Sequence, residues 1–280
     1  MNKLLKRITV RMVLSLVCPM LLAGTASAGE FDGFAGKRGQ INIAGGTAHI
    51  PVMKNAAKRI MQANPGIRIS IAAGGSGVGV QKVGEGLVQI GNTGRALSDD
   101  EIAKYGLKSY AFALDGVATV VNPKNKVNNL TSAQVQAIFA GRITNWKAVG
   151  GRDAPIHLYT RDEASGTREV FWEKLLKKGA IADNANVVAS NGAMKTALAG
   201  DPDGIGYVSI GHIDKTIKAP RLDHVAPSQK NALSGKYPIV RKLYMNTKGE
   251  PQGLTAAFIN YIKGPAGRKM TIDAGYLPLN

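Results

Sequence analysis

The sequence has almost no cysteine and little histidine. Its 280 residues include one Cys and four His, which excludes a disulfide framework and any zinc site built on cysteines. The histidines, at positions 49, 157, 212 and 224, follow no metal-ligand spacing. Charged residues make up only 20% of the chain, and its 34 glycines follow no three-residue period. Coiled-coil, polyelectrolyte and collagen classes are therefore excluded, and we predict neither a metal nor a cofactor.

The N-terminus has an apolar run that is too short to span a bilayer comfortably. Four basic residues precede the apolar stretch 13–23, and Ala26-Ser27-Ala28 forms a small-residue cleavage site. This pattern is typical of a secretory signal, so we predict removal of residues 1–28 and a location outside the cytoplasm. A retained membrane anchor is the alternative interpretation. Lipidation of Cys18 is disfavoured because no small residue precedes it.

The remaining chain is strongly basic. All four Lys and Arg of the first eleven residues fall in the leader, and none of the 19 acidic residues does, so the formal charge of +17 becomes +13 after cleavage. Basic residues occur singly or in pairs, and aromatic residues are not interleaved with them. This distribution favours a solvated surface that attracts small anions over a nucleic-acid groove, and we predict no nucleic-acid partner.

Strand and helix patterns alternate along the chain. A strand pattern before Gly45-Gly46 leads to a helix predicted over residues 50–63, and a second strand leads through a glycine-rich turn to a helix predicted over 78–86. Ser98 and Glu101 form a capping box for a third helix. Long strand patterns cover 111–122 and 237–246. The order indicates an α/β fold, with the long strands crossing between two domains.

Small residues follow three strands where a helix begins. In open α/β sheets ligands bind beyond the carboxyl ends of strands, and helix N-termini favour anions there. The strongest such segment is RDEASGTREVF, in which Arg161 can donate to an oxyanion, Ser165 and Thr167 offer hydroxyl groups, and Gly166 allows close backbone approach. Ordinary helix capping by Ser165 explains part of the same pattern.

Enzyme motifs are missing. No histidine is placed by a motif to activate Ser165, and neither the G-x-S-x-G elbow nor the Walker pattern occurs. A secreted phosphatase-like enzyme would need a nucleophile with its base or a metal cluster, and the sequence offers neither. We therefore predict no catalytic residue.

These segments carry a resemblance to a known family. GGTAHIP, GGSGVGV, VQIGNTGRALSDDE, IFAGRITNWKAVGG, RDEASGTREVF and the terminal GYLPLN, in this order, are similar to the PstS-type periplasmic phosphate-binding proteins of ABC phosphate importers. The resemblance covers nearly all of the chain after the leader. It implies a monomer that captures inorganic phosphate and delivers it to the permease subunits of an ABC importer.

The resemblance also implies a fold and its domain boundaries. We expect a two-lobed type II periplasmic-binding-protein fold in which each lobe has a mixed, mainly parallel sheet flanked by helices, with the ligand in the cleft between the lobes. Lobe 1 is expected to comprise residues 36–113 plus 238–280, and lobe 2 residues 114–237. An extracellular anion sensor with the same fold is an alternative function.

The family's phosphate loops can be transferred onto this sequence. They imply phosphate contacts from Thr47, Ala48, Ser76, Arg161, Ser165, Gly166 and Thr167. Glu163 is expected to orient Arg161.

One position departs from the family pattern. Some members carry an Asp where this chain has Gly94, and that carboxylate accepts the proton of hydrogen phosphate. Arg95 is expected to donate to the ligand in this loop, and Asp115 is the candidate for the missing acceptor, with Asp162 as its rival. Without an acceptor the site would also suit sulfate, molybdate or tungstate, so ligand selectivity stays open.

Overall fold

The computed structural model describes residues 29–279. The predicted leader, residues 1–28, lies outside the described residues. Between residues 29 and 279, no helix is both long and apolar enough to cross a membrane.

The described residues form an α/β structure. The helices are α1 (Ile50–Ala63), α2 (Gly75–Gly84), α3 (Asp99–Tyr105), α4 (Ser132–Phe139), α5 (Gly166–Lys174), α6 (Asn191–Gly200), α7 (Gln229–Leu233), α8 (Gly253–Lys263) and α9 (Pro265–Asp273). The strands are β1 (Gly39–Gly45), β2 (Ile67–Ala72), β3 (Ile90–Thr93), β4 (Leu107–Val121), β5 (Asn129–Leu130), β6 (His157–Thr160), β7 (Asn186–Val187), β8 (Gly204–Ser209), β9 (Arg221–Leu222), β10 (Val240–Lys248) and β11 (Leu277–Pro278). Short 3-10 helices cover Asp32–Phe34, Thr47–His49, Trp146–Val149 and Ile210–His212.

One long sheet connects both ends of the structure. Its strand order is β2-β1-β3-β10-β4-β8-β6-β7, and β11 also pairs with β4. The outer strands pair in parallel, whereas β10 and β4 pair antiparallel with each other and with their other neighbours. The stretch of β4 from Leu107 to Gly116 pairs with β10, and its last five residues pair with β8. This single strand therefore joins the two ends of the sheet.

Buried hydrophobic residues form two main groups on either side of this junction. We call the group drawn from residues 34–113 and 243–276 the first core. The second core is drawn from residues 117–239. Phe112 and Val117, only five positions apart on β4, belong to different cores. The functional residues described below lie where the two cores meet.

Local sequence explains the first helix, and the prediction for it is confirmed. Helix α1 covers Ile50–Ala63, with Pro51 in its first turn, where its missing N–H costs nothing. Val52, Ala56 and Ile60 are fully buried on one face. Asn64 and Pro65 follow the last turn and end the helix.

The bounds of helix α2 differ from the prediction. Helix α2 begins at Gly75, three residues before the predicted start, because its glycines allow the helix backbone to approach the neighbouring backbone very closely. A Cβ atom at Gly79 would lie 2.6 Å from the backbone oxygen of Asn92. Helix α5 ends at Lys174, and beyond its end Lys177 and Lys178 adopt positive φ angles of 54° and 60°.

Candidate functional site

A small cavity lies between the two cores. The space within its lining, including solvent-filled space at its mouth, is about 190 Å³. It is lined by Gly46, Thr47, Ala48, His49, Gly75, Ser76, Gly94, Arg161, Ser165, Gly166, Thr167 and Arg241. No carboxylate is part of this lining.

Three helix starts meet at the cavity. They are the 3-10 helix Thr47–His49 that leads into α1, the first turn of α2 at Gly75 and Ser76, and the first turn of α5 at Gly166. Backbone N–H groups in a first helical turn have no acceptor within the helix, and the helix dipole is positive there. The cavity therefore has the backbone chemistry of an anion site.

The hydroxyl groups on the wall accept hydrogen bonds from neighbouring N–H groups. Ser76 Oγ accepts the Gly94 N–H at 3.0 Å, and Ser165 Oγ accepts the Arg168 N–H at 3.2 Å. Thr47 Oγ1 accepts both the backbone N–H and the side-chain amide of Asn191, at 3.2 and 3.0 Å. Each of these hydroxyls keeps its proton while it accepts these bonds, so it can donate to a ligand in the cavity.

The N-terminus of α5 requires a glycine. A Cβ atom at Gly166 would lie only 2.2 Å from Ser76 Oγ. The backbone of α5 therefore approaches α2 more closely than any side chain at this position would allow. The Gly77 N–H donates to the Ala164 carbonyl across the same gap at 3.0 Å.

Two buried guanidinium groups supply positive charge. Arg161 is 2% exposed; its Nη2 donates to the Ala189 carbonyl at 3.1 Å, but Nε and Nη1 have no partner. Burial lowers the pKa of Arg161, as expected for a cation removed from water. Arg241 is 6% exposed, and its Nη2 also lacks a partner. Buried unpaired N–H donors are costly, so both residues are prepared to bind an anion.

Asp115 lies behind Arg241 instead of on the cavity wall. One carboxylate oxygen accepts Arg241 Nε at 2.9 Å, and the other accepts Ser209 Oγ at 2.8 Å. The two residues face each other across the paired strands β4 and β10. Because both oxygens are occupied, this placement differs from the direct ligand contact that we expected for Asp115.

The comparisons with known proteins agree with this geometry. Residues 33–265 match the family model described as the PBP superfamily domain. A curated relative, the phosphate-binding protein PstS of Bacillus subtilis, is 35% identical over 281 residues, covering 96% of this chain and 93% of that protein. This chain belongs to the PstS family within the PBP superfamily.

Solved structures support the same family and fold. A structure from Clostridium perfringens, assigned as a phosphate ABC transporter substrate-binding protein and containing bound phosphate, has a TM-score of 0.81. It is 30% identical and covers 86% of this chain and 100% of that chain. An ABC-type phosphate transport receptor from Vibrio cholerae has a TM-score of 0.68 at 33% identity, with 85% and 99% coverage. The expected type II periplasmic-binding-protein fold is thus confirmed.

Most predicted site residues meet at the cavity of this PstS-family chain. The structure brings together Thr47, Ala48, Ser76, Arg161, Ser165, Gly166 and Thr167. Their contact with phosphate stays a prediction.

Three other residues are placed differently from the expectation. Arg95 is outside the cavity and engaged by carboxylates, with Nη1 and Nη2 at 2.7 and 2.6 Å from Glu101 and Nε at 2.7 Å from Glu169. Glu163 is exposed and makes no bond to Arg161 among the described contacts. Asp162 has one buried oxygen without a partner, but it is not part of the lining.

Sequence reasoning missed three residues of the site. In the sequence, Arg241 could be recognised only as one residue of a basic pair. Its position opposite Asp115 results from the pairing of β10 with β4. Asn191 had no motif, yet its side chain reaches both Thr47 and Thr167, the latter at 3.5 Å. His49 is fully buried beside the cavity, with Nε2 at 3.1 Å from the Tyr244 carbonyl.

Histidines near the site are neutral at physiological pH. Burial lowers the pKa of His49 to about 3, with a further contribution from Arg241. Burial likewise lowers the pKa of His212 to about 4; its Nε2 lies 3.3 Å from the Thr47 carbonyl. Among residues 29–279 no group of three or more metal-ligating side chains is placed to hold a metal ion.

Proposed function

We propose that this chain captures inorganic phosphate outside the cytoplasm and delivers it to an ABC importer. The observation that carries the proposal is a cavity whose wall offers hydrogen-bond donors from three helix starts, from hydroxyl groups and from two buried guanidinium groups. A dehydrated tetrahedral oxyanion needs many donors at once, and this wall replaces its water shell. The names of the PstS relatives and the bound phosphate of the Clostridium perfringens structure support phosphate as that ion.

Binding would close two lobes over the ion. The first core and its strands would form lobe 1, residues 36–113 plus 238–280, and the second core would form lobe 2, residues 114–237. Thr47 and Ser76 would bind phosphate from lobe 1, and Arg161 and the start of α5 from lobe 2. Strand β4 and the residues just before β10 would pass between the lobes and carry the hinge.

The remaining parts of the proposal concern its cellular setting. The chain would act as a periplasmic monomer after cleavage of the leader following Ala28, and it would catalyse no reaction. Its partners would be the permease subunits of the importer in the inner membrane. The basic surface would raise the local concentration of anions near the cleft.

A general oxyanion binder is the second candidate, because the cavity wall contains no carboxylate. A wall made of donors accepts fully ionised sulfate as readily as hydrogen phosphate, whereas a carboxylate would repel sulfate. Arsenate, with the same shape and protonation as phosphate, should compete in either case.

Calorimetry on residues 29–280 tests the proposal. We expect one phosphate per chain, competition by arsenate, and unchanged binding after treatment with EDTA. Absence of phosphate binding would refute the proposed function, and loss of binding after chelation would refute a metal-free site. Equal affinity for sulfate or molybdate would instead assign the chain to general oxyanion binding.

A further inference from the structure

Arg95 was expected at the ligand but is held by two carboxylates from different parts of the fold. Its two terminal nitrogens bind Glu101 on α3, and its Nε binds Glu169 Oε2 on α5 at 2.7 Å. The Arg95 side chain is only 18% exposed, and Glu169 is 38% exposed. Because two carboxylates bind its guanidinium, Arg95 has little capacity left to donate hydrogen bonds to a ligand.

The ion pairs of Arg95 cross the boundary between the two cores. Arg95 directly follows β3, and that strand pairs with β1 and β10 on the side of the first core. Helix α5, which carries Glu169, packs into the second core through Val170 and Phe171. The Arg95–Glu169 pair therefore connects two parts of the chain that would separate if the cleft opened.

Glu169 also lies next to the anion-binding end of its helix. Ser165 caps α5, and the Glu169 N–H donates to the Ser165 carbonyl at 3.0 Å. A displacement of Glu169 would therefore also displace the residues that face the cavity, which lie within one helical turn of it. Glu101, in turn, fixes the guanidinium plane so that Nε is already directed at α5, which reduces the entropy lost when the pair forms.

We propose that Arg95 is a positioning residue that holds the start of α5 against the first core in the closed, ligand-bound state, through Glu169 and without contacting the ligand. This inference rests on the proposed function, since it assigns a role within the same site. The opposing hypothesis is that Arg95 donates to the anion directly.

Replacing Glu169 distinguishes the two roles by the sign of the effect. If Arg95 acts through Glu169, the Glu169→Gln change removes the cross-boundary ion pair and speeds phosphate release. If Arg95 binds phosphate itself, the same change removes a competing carboxylate and strengthens binding. Glu173→Gln is the matched control, because Glu173 lies one turn further along α5 and, among residues 29–279, forms its ion pair with Lys178, at 3.4 Å. It removes the same charge without touching Arg95.

Stopped-flow measurements with inorganic phosphate on residues 29–280 give both rate constants. We expect Glu169→Gln to raise the release rate roughly threefold to tenfold relative to Glu173→Gln, with association rates of the two variants within twofold. The difference should shrink in 0.5 M NaCl, because screening weakens a partly exposed ion pair. Equal release rates of the two variants, or tighter binding by Glu169→Gln, would overturn the inference while leaving the proposed function intact. A wild-type chain that fails to bind phosphate would overturn both.

Discussion

The buried pair of Asp115 and Arg241 allows a prediction that separates structural support from ligand contact. Asp115→Asn keeps the size of the side chain but removes its negative charge. The two side chains are 0% and 3% exposed, and no other carboxylate bonds to Arg241 among the described residues. The variant therefore leaves a buried cation without its counter-charge.

The cost of this change depends on whether an anion is present. Removing one partner of a buried ion pair destabilises a protein by about 3–5 kcal/mol. Because the Asn oxygen can still accept one hydrogen bond, we expect a loss of about 3 kcal/mol. A bound phosphate would supply the missing negative charge. We therefore expect at least about 1 kcal/mol of the loss to be recovered at saturating phosphate, which corresponds to roughly fivefold tighter binding by the variant.

Urea unfolding with and without phosphate, combined with calorimetry, measures both quantities. Asp273→Asn is the control, since its pair with Lys269 is largely exposed and should change stability by less than about 0.5 kcal/mol. Weaker phosphate binding together with stronger sulfate binding by Asp115→Asn would refute this reasoning. That result would restore Asp115 as the acceptor of the ligand proton, the role that the sequence suggested.

Three further predictions follow from the cavity and its neighbours. Arg161→Ala should weaken phosphate binding by roughly tenfold to a hundredfold, because charge-assisted hydrogen bonds are lost, whereas exposed Lys177→Ala should have little effect in the same calorimetric titration; equal effects would indicate attraction by bulk charge. Gly166→Ala should weaken binding at least tenfold, since the added Cβ would lie 2.2 Å from a hydroxyl oxygen, while Gly200→Ala, with nothing within 4 Å, should bind normally. The free energy of unfolding should be highest above the unfolded histidine pKa of about 6.5. It should fall by about 2 kcal/mol for each of His49 and His212 between pH 7 and 5, because their folded pKa values are about 3 and about 4. Replacing His212 by Gln should halve this slope in urea unfolding at each pH.

Local patterns were sufficient to predict the elements that depend on nearby residues. The full extent of α1 and the capping box at Ser98 are confirmed because both depend on contacts within four positions. The segment from Arg161 to Thr167 reaches the cavity for the same reason: a strand end, a cap and a helix start are adjacent in the chain.

The missed and misplaced residues depend on contacts that are distant in the sequence. Arg241 faces Asp115 only because β10 pairs with β4 in a particular register, 126 positions apart. Arg95 has the same residue type and loop position as a ligand donor, but its guanidinium is occupied by Glu101, 6 positions away, together with the distant Glu169. A single sequence records the charges of such residues but not their partners, and the partner decides whether a guanidinium binds the ligand or the protein.

The donor character of the cavity is determined by groups outside it. The hydroxyls of Thr47 and Ser76 accept hydrogen bonds from Asn191 and from the Gly94 N–H, and their protons stay available to donate inward. The Arg241 guanidinium keeps one nitrogen free because Asp115 binds another. Selectivity for an anion therefore rests on a surrounding layer that fixes the direction of each hydrogen bond before the ligand arrives. A change in that layer should alter the preferred anion even when every residue of the wall is kept.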